Sequence, residues 1–280
     1  MDIHDLLAKL PCHCLRPAPL VSVVRLYGVI GQMGPLRQGL SLPALAGVLE
    51  RAFKPKHLAA VALAINSPGG SPVQSSLIAG RIRALAEEKK VPVFAFVEDV
   101  AASGGYWLAT AADEIFADEA SIIGSIGVVS SGFGFHELLQ RFGVERRLYT
   151  QGAHKAMLDP FRPEQPDDVV RLKALQAELH EGFKAVVRRR RDGRLKGEDG
   201  ELFEGDIWTG RRAQDLGLID GIGDLRGVMR GRFGDEVKLR VVGEQRGWLR
   251  RRFGLTAPAD WVGTALAAAE ERSQWARYGL

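Results

Sequence analysis

The 280-residue sequence predicts an α/β fold with a mostly parallel sheet and flanking helices. Three observations predict it. Apolar runs without internal charge, such as Leu58 to Ile65 and Val91 to Val97, have the length and composition of strands buried on both faces. Segments with helical spacing alternate with them. Turn residues follow at the carboxyl ends of strands, with Asn66-Ser67-Pro68-Gly69-Gly70 the clearest run. A chain that is 46% hydrophobic and 26% charged is neither wholly disordered nor fibrous.

Residues 1–20 read as a leader interrupted by Pro11, Pro17 and Pro19. Val21 to Leu26 is the first strand. Ser41 to Phe53 is a helix: Ser41 can cap it, Pro43 suits its first turn, and Leu45, Val48 and Leu49 share a face. After the strand ending at Ile65, Gln74 to Lys89 is helical, with Leu77, Ile78, Ile82 and Leu85 on one side. Ser103 to Ala112 has helical spacing, Glu114 to Ala117 returns to strand, and Ile122 to Val129 is apolar and glycine-rich. Asp168 to Arg191 is a long helix, apolar at Leu172, Leu175, Leu179, Phe183 and Val186, with arginines suited to its carboxyl end. Val237 to Val242 is a last strand, and Asp260 to Tyr278 is an Ala-rich helix. Repeated strand–helix–strand units imply right-handed crossovers.

The charge balance, 38 Lys and Arg against 34 Asp and Glu, is +4. The excess sits in two runs, Arg188 to Arg191 and Arg246 with Arg250 to Arg252. No nucleic-acid-binding motif accompanies them, and they read as solvated helix faces. Cys12 and Cys14 are too close for a relaxed disulfide, and no second ligand pair completes a zinc site, so they read as free thiols in a reducing compartment. No metal or cofactor is expected. No apolar stretch reaches the ~18–20 residues that span a bilayer, and Asp2 and Asp5 stand where a signal peptide would carry positive charge. The expectation is a cytoplasmic protein, or one peripheral at the cytoplasmic membrane.

Glycine is the compositional outlier, at 33 of 280 residues against a usual share of about 7%. Gly69-Gly70 and Gly104-Gly105 each follow a strand, where the ligand sites of such sheets lie. Glycine lets backbone N–H groups approach a ligand, and two such groups can form an oxyanion hole. Ser103, just before the second pair, is either a helix N-cap or a nucleophile. A nucleophile needs a base. His136 and His154 have no acidic partner nearby in sequence. Lys155, in the small and apolar run Gln151-Gly152-Ala153-His154-Lys155-Ala156-Met157, can serve if burial lowers its pKa.

Five runs, in order, resemble the motifs of the signal peptide peptidase A family, the S49 serine peptidases. Ala101-Ala102-Ser103-Gly104-Gly105-Tyr106 resembles its nucleophile motif, and Ser121-Ile122-Ile123-Gly124-Ser125-Ile126-Gly127-Val128 the signature that follows. Gly152-Ala153-His154-Lys155 resembles its lysine motif, and Asn66-Ser67-Pro68-Gly69-Gly70 its oxyanion segment. Trp208-Thr209-Gly210 through Gly217-Leu218-Ile219-Asp220 resembles a fifth element. The similarity runs from about Val21 to Gly254.

The resemblance implies a ClpP/crotonase-like fold of repeated β-β-α units and a Ser–Lys dyad. Ser103 matches the nucleophile, Lys155 the general base and Ser125 the serine that orients the lysine amine. The N–H groups of Gly70 and Gly104 match the oxyanion donors, and Gly69 and Ser67 contribute to substrate binding. The implied activity is endopeptidase cleavage of signal-peptide remnants or other short, apolar or unfolded peptides. Small or apolar side chains are expected at P1 and P3.

Three domains are expected: the 1–20 leader, a 21–234 peptidase domain, and a 235–280 extension. Many relatives carry an N-terminal anchor that this sequence does not show. Trp248, Leu249 and Phe253 around three arginines, with Trp261 and Trp275, suggest peripheral contact with anionic membrane or packing against a subunit. A single-unit member implies a ring-like homo-oligomer, with Ser103 and Lys155 on one chain or on two. The competing readings are a crotonase-type acyl-CoA enzyme and a non-catalytic scaffold. Among peptidases, a phage-type head-maturation protease and a stomatin-associated peptidase also compete.

Overall fold

The computed structural model describes residues 17–31, 39–243, 268–269 and 272–279. Cys12 and Cys14, most of the leader, and the segment bearing Arg246, Trp248, Arg250 to Arg252 and Trp261 lie outside the described residues.

The chain forms two compact units, one from residues up to Ile126 and from Val186 onward, the other from Gly127 to Ala185. This division falls inside the 21–234 span read as one domain.

The first unit is a mixed α/β structure around an eight-stranded sheet. Strands β1 (Leu20–Tyr27), β2 (Leu58–Ser67) and β3 (Val93–Ala102) are joined by helices α1 (Leu42–Phe53) and α2 (Pro72–Lys89). Then come α3 (Gly104–Ala109), β4 (Glu114–Ala117) and β5 (Ile122–Gly124). Helices α4 (His136–Arg141), α5 (Pro166–Arg190) and α6 (Asp199–Leu202) precede β6 (Ile207–Thr209) and α7 (Gly210–Asp215). Strand β7 (Gly221–Ile222), helix α8 (Leu225–Phe233) and β8 (Lys238–Val241) end the series. The main order is β6-β5-β3-β2-β1-β8, with β4 pairing with β3 and β7. Every described pairing is parallel except β5–β6.

The central strands are covered on both faces, which is why their sequences run apolar without alternation. Val21, Val23, Ala60, Ala62, Ala64, Phe94 and Phe96 pack with Met229 of α8. Val61, Leu63 and Ile65, of opposite parity, are fully buried as well. Each large aliphatic side chain so buried contributes about 1.5–3 kcal/mol.

Strand β3 continues five residues beyond its expected end at Val97, and it forks. Phe94 to Val97 pair with β4, whereas Val100 to Ala102 pair with β5. Between the two stretches Glu98 and Asp99 are exposed, and the register against β2 shifts between Ile65 and Ser67. From sequence alone the charged pair reads as the end of the strand. In the structure it marks an irregularity of the kind that re-aims a strand.

Other expectations are corrected. Ser41 stands at the N-cap of α1, but its side chain makes no capping bond. Gln74 Oε1 from α2 accepts the Leu42 N–H instead, at 2.8 Å. Leu77 is 45% exposed, because the buried stripe of α2 runs through Ser75, Ile78, Ile82 and Leu85. Leu175 and Leu179 of α5 are exposed, and burial on that helix centres on Phe183 and Val187.

The Arg188–Arg191 run is not a solvated face throughout. Arg191 is 2% exposed. Its Nε and Nη2 donate to the Gly217 carbonyl at 3.0 and 2.8 Å, and its Nη1 to Asp220 Oδ2 at 2.6 Å. Arg190 donates to the Thr110 and Ala112 carbonyls just past α3, at 2.8 and 2.9 Å. Burial and the neighbouring Arg83 hold the Arg190 guanidinium below its ordinary range. The planar five-donor fork of arginine suits this work.

In the second unit, the rings of Phe133, Phe135 and Phe161 form a chain with centroids 6.2 and 5.7 Å apart. Arg146 lies over Phe161 at 4.8 Å and pairs with Asp159 at 3.0 Å. No helix among the described residues is long and apolar enough to cross a membrane.

Candidate active site

Four strand ends and loops of the first unit converge on Ser103. The residue follows the last position of β3 and occupies the N-cap of α3, with φ 52° and ψ −120°. Its side chain makes no capping hydrogen bond, so the N-cap explanation for this serine does not hold. A non-glycine residue in such a conformation costs of order 1–3 kcal/mol and persists only where its surroundings impose it.

The surroundings are specific. The Ser103 N–H donates to the Gly124 carbonyl at 2.8 Å, extending the Ala102–Gly124 pairing of β3 with β5. The Ser103 carbonyl receives the Trp107 N–H at 3.0 Å and starts α3. Tyr106 is fully buried and donates its hydroxyl to the Leu218 carbonyl at 2.7 Å. Burial pushes that phenol up, so it stays protonated as a donor.

Two backbone amides face this serine's neighbourhood. Gly104 opens α3, so its N–H has no acceptor within the helix. Gly70 forms a parallel bridge with Ile30, whose N–H donates to Gly69 O and whose carbonyl accepts the Ser71 N–H, each at 2.8 Å. In that pattern the N–H of Gly70 itself points away from Ile30. A Cβ on Gly104 would stand 3.4 Å from the Gly70 nitrogen and one on Gly69 3.0 Å from the Gly104 nitrogen, so the two glycine segments pack against each other. Gly70 has φ 138°, and a Cβ there would overlap the Ile30 carbonyl, so only glycine fits without displacement. Gly69 abuts the site directly: a Cβ on it would lie 2.9 Å from Ser103 Cβ.

Ser67 has a different place from the substrate contact expected of it. It is fully buried, and its Oγ accepts the Gly69 N–H at 3.3 Å. It shapes the loop from behind, because no face of the side chain reaches solvent. Tyr278, near the chain's end, donates its hydroxyl to the Pro68 carbonyl of the same loop at 3.4 Å.

Ser125 follows β5 at φ 52° and is half-buried, and its N–H donates to the Asp206 carbonyl at 2.6 Å. The structure therefore gathers Ser103, Ser125, Gly69, Gly70 and Gly104 in one unit. Lys155 belongs to the other unit, in a turn where its N–H donates to the Gly152 carbonyl at 3.2 Å, and in the single chain it is exposed. His154 is also exposed. His136, contrary to expectation, has a carboxylate nearby, its Nε2 lying 3.9 Å from Glu137 Oε1.

Ile30, Tyr106 and Asp206 hold the site together and were not singled out from sequence. Tyr106 lay within the nucleophile motif, and its place beside Gly-Gly was the available hint. Ile30 and Asp206 act through backbone atoms, which leave no mark in side-chain chemistry. Among the described residues, no three His, Cys, Asp or Glu side chains are grouped to hold a metal.

A family model described as peptidase family S49 matches residues 85–232, more than half of the chain. The chain is 54% identical over 272 residues to a Brucella abortus protein named Na(+)/H(+) antiporter NhaA, matching 93% of this chain and 37% of that one. It is 32% identical over 217 residues to the chloroplastic serine protease SPPA of Arabidopsis thaliana, matching 73% of this chain and 31% of that one. It thus spans about a third of the length of either relative. Among solved structures, a serine-to-alanine mutant of the membrane-bound stomatin-specific protease 1510-N superimposes with TM-score 0.51 at 16% identity. The match covers 82% of this chain and 100% of that one, and is a likeness of fold.

Proposed function

Because the chain belongs to peptidase family S49, we propose that it is a serine endopeptidase acting on short, extended peptides with small or apolar side chains near the cut. The observation that carries this reading is Ser103, held at positive φ with its hydroxyl not spent on capping, beside the amides of Gly70 and Gly104.

Lys155 is the general base and takes the Ser103 proton as Oγ attacks the peptide carbonyl. The developing oxyanion accepts from the N–H groups of Gly70 and Gly104, since backbone donors fixed by the fold stabilise such charge without reorganisation. The lysine ammonium then gives its proton to the leaving amine, and the acyl chain remains on Oγ as an ester. Water repeats the sequence and releases the carboxylate product. Ser125 accepts from or donates to the lysine amine and fixes its direction.

A lysine must be neutral to act as a base, and burial is the means. Lys155 is exposed in the single chain, so a second copy supplies the cover. Phe133, Phe142, Leu175 and Leu179 are exposed on the same unit and support a homo-oligomer, in the manner of surfaces destined for burial. The Brucella relative's name supports a setting at the membrane, where the basic and Trp-containing C-terminal segment contacts anionic lipid.

The test is labelling with a fluorophosphonate probe alongside cleavage of a peptide library. Labelling and cleavage by the wild type, with neither in Ser103→Ala, is the expected result. A wild-type protein that cleaves peptides equally well after Ser103→Ala would overturn the reading.

A further inference from the structure

Gly124 and Ser125 are consecutive residues at positive φ, 112° and 52°. Between them they touch both serines of the site: Gly124 supplies the carbonyl that receives the Ser103 N–H, and Ser125 is the second hydroxyl. Nothing in β5 itself holds the pair in this conformation, since that strand is three residues long and ends at Gly124. Beside the Ala102–Gly124 pairing with β3, the hold comes from the one antiparallel neighbour, β6.

Two contacts make the hold. The Asp206 carbonyl accepts the Ser125 N–H at 2.6 Å. The indole of Trp208 lies against Gly124, so that a Cβ on Gly124 would come within 2.6 Å of Trp208 Cε3 and Cζ3 and 2.8 Å of the Asp206 oxygen. Strand β6 is anchored from its far side as well. Thr209 caps α7 by accepting the Arg212 N–H, Arg211 pairs with Glu119, and its N–H donates to the Glu119 carbonyl at 3.3 Å. The strand carrying the indole is thus tied both to α7 and to the loop that leads into β5.

We infer that Trp208 is a positioning residue: with the Asp206 carbonyl it locks the Gly124–Ser125 turn, and through the Gly124 oxygen it sets the direction of Ser103. The indole fills the space a Cβ would take on Gly124, so the turn cannot relax toward it. A relaxed turn moves two things together, the Ser125 hydroxyl and the acceptor of the Ser103 N–H. Loss of the ring therefore lowers turnover in preference to substrate affinity, because a serine aimed a few tenths of an ångström off still leaves the peptide cleft intact.

This inference rests on the peptidase reading for its kinetic consequence, but its structural half can be measured without activity. The experiment compares wild type, Trp208→Ala, Trp208→Leu and Trp208→Phe by two readouts. The first is hydrogen exchange of the peptides covering residues 98–108 and 121–127, with β1 and β2 as internal reference. The second is kcat and KM on a cleaved peptide, with kcat normalised to fluorophosphonate-titrated Ser103. The inference expects Trp208→Ala and Trp208→Leu to exchange at least tenfold faster in both peptides with the reference unchanged. Their kcat per titrated serine falls at least tenfold, KM stays within twofold, and Trp208→Phe restores most of the loss. Unchanged exchange in both peptides overturns it, as does an unchanged kcat per titrated serine in a folded variant. Should Trp208→Ala fail to fold, Trp208→Leu and Trp208→Phe carry the comparison. A wild type with no Ser103-dependent labelling overturns the peptidase reading alone, and the exchange result then still decides the role of Trp208.

Discussion

Arg191 Nη1 and Asp220 Oδ2 stand 2.6 Å apart in a pair whose arginine is almost wholly buried. The same carboxylate oxygen accepts the Ile115 N–H at 2.7 Å, and the guanidinium also holds the Gly217 carbonyl. Removing Arg191 leaves Asp220 its second partner, Arg194 at 3.0 Å, but strips the Gly217 carbonyl of both guanidinium donors, a loss of about 1–3 kcal/mol. Arg191→Ala is expected to lose that much in urea unfolding. Arg191→Lys recovers little of it, because an ammonium cannot reproduce the fork. Equal stability of Arg191→Lys and wild type would contradict this account.

Ser103 predicts an inversion of the usual ranking of substitutions. Alanine keeps the positive-φ strain and glycine relieves it, so Ser103→Gly is expected to exceed Ser103→Ala in stability by about 1 kcal/mol. Both are inactive. Chemical denaturation of the two variants side by side checks the order.

Gly70→Ala keeps the amide but drives a Cβ into the Ile30 carbonyl at a φ that alanine disfavours. The loop must shift and the donor with it. The expected loss is about 10²–10³ in kcat, the scale of one oxyanion donor, with Ser103 still present and slower to label. An unchanged kcat would remove Gly70 from the site.

Lys155→Ala and Lys155→Arg are both expected to be inactive, the second because arginine stays protonated. If the dyad is shared between copies, mixing folded Ser103→Ala with Lys155→Ala restores part of the activity through mixed sites. Co-refolded mixtures that stay inactive place both residues on one chain.

Tyr27 gives a pH signature. Its partial burial and its hydrogen bond to Glu98, at 2.6 Å, push its phenol up to about 12. The fold thus favours the protonated form. That contribution to stability is complete below the ordinary value of about 10 and is lost as pH rises toward 12. Ultraviolet titration of wild type against Tyr27→Phe should show one tyrosine missing from the late phase.

Much of this was legible in the residues themselves. The apolar runs of β1 to β3 announce strands covered on both faces, and the small residues around Ser103 mark a turn kept open. What escaped was tertiary. Glu98 and Asp99 look like a strand end, yet β3 continues past them because β5 waits beyond. Four arginines in a row look like a wet helix face, yet two of them find carbonyls that no local pattern reveals. Ser41 has the chemistry of a cap, but Gln74 from another helix reaches the amide first.

The dependence of Ser103 on β6 also has a meaning in time. The serine is made before Asp206 and Trp208, which lie more than 100 residues downstream of it. Until they arrive, Gly124 has its β3 partner, but the Ser125 N–H lacks its acceptor and no indole presses on the turn. Long-range closures of this kind are late events in folding. A nascent chain thus leaves the Ser103 turn unbraced while those residues are made, and one truncated before β6 never braces it.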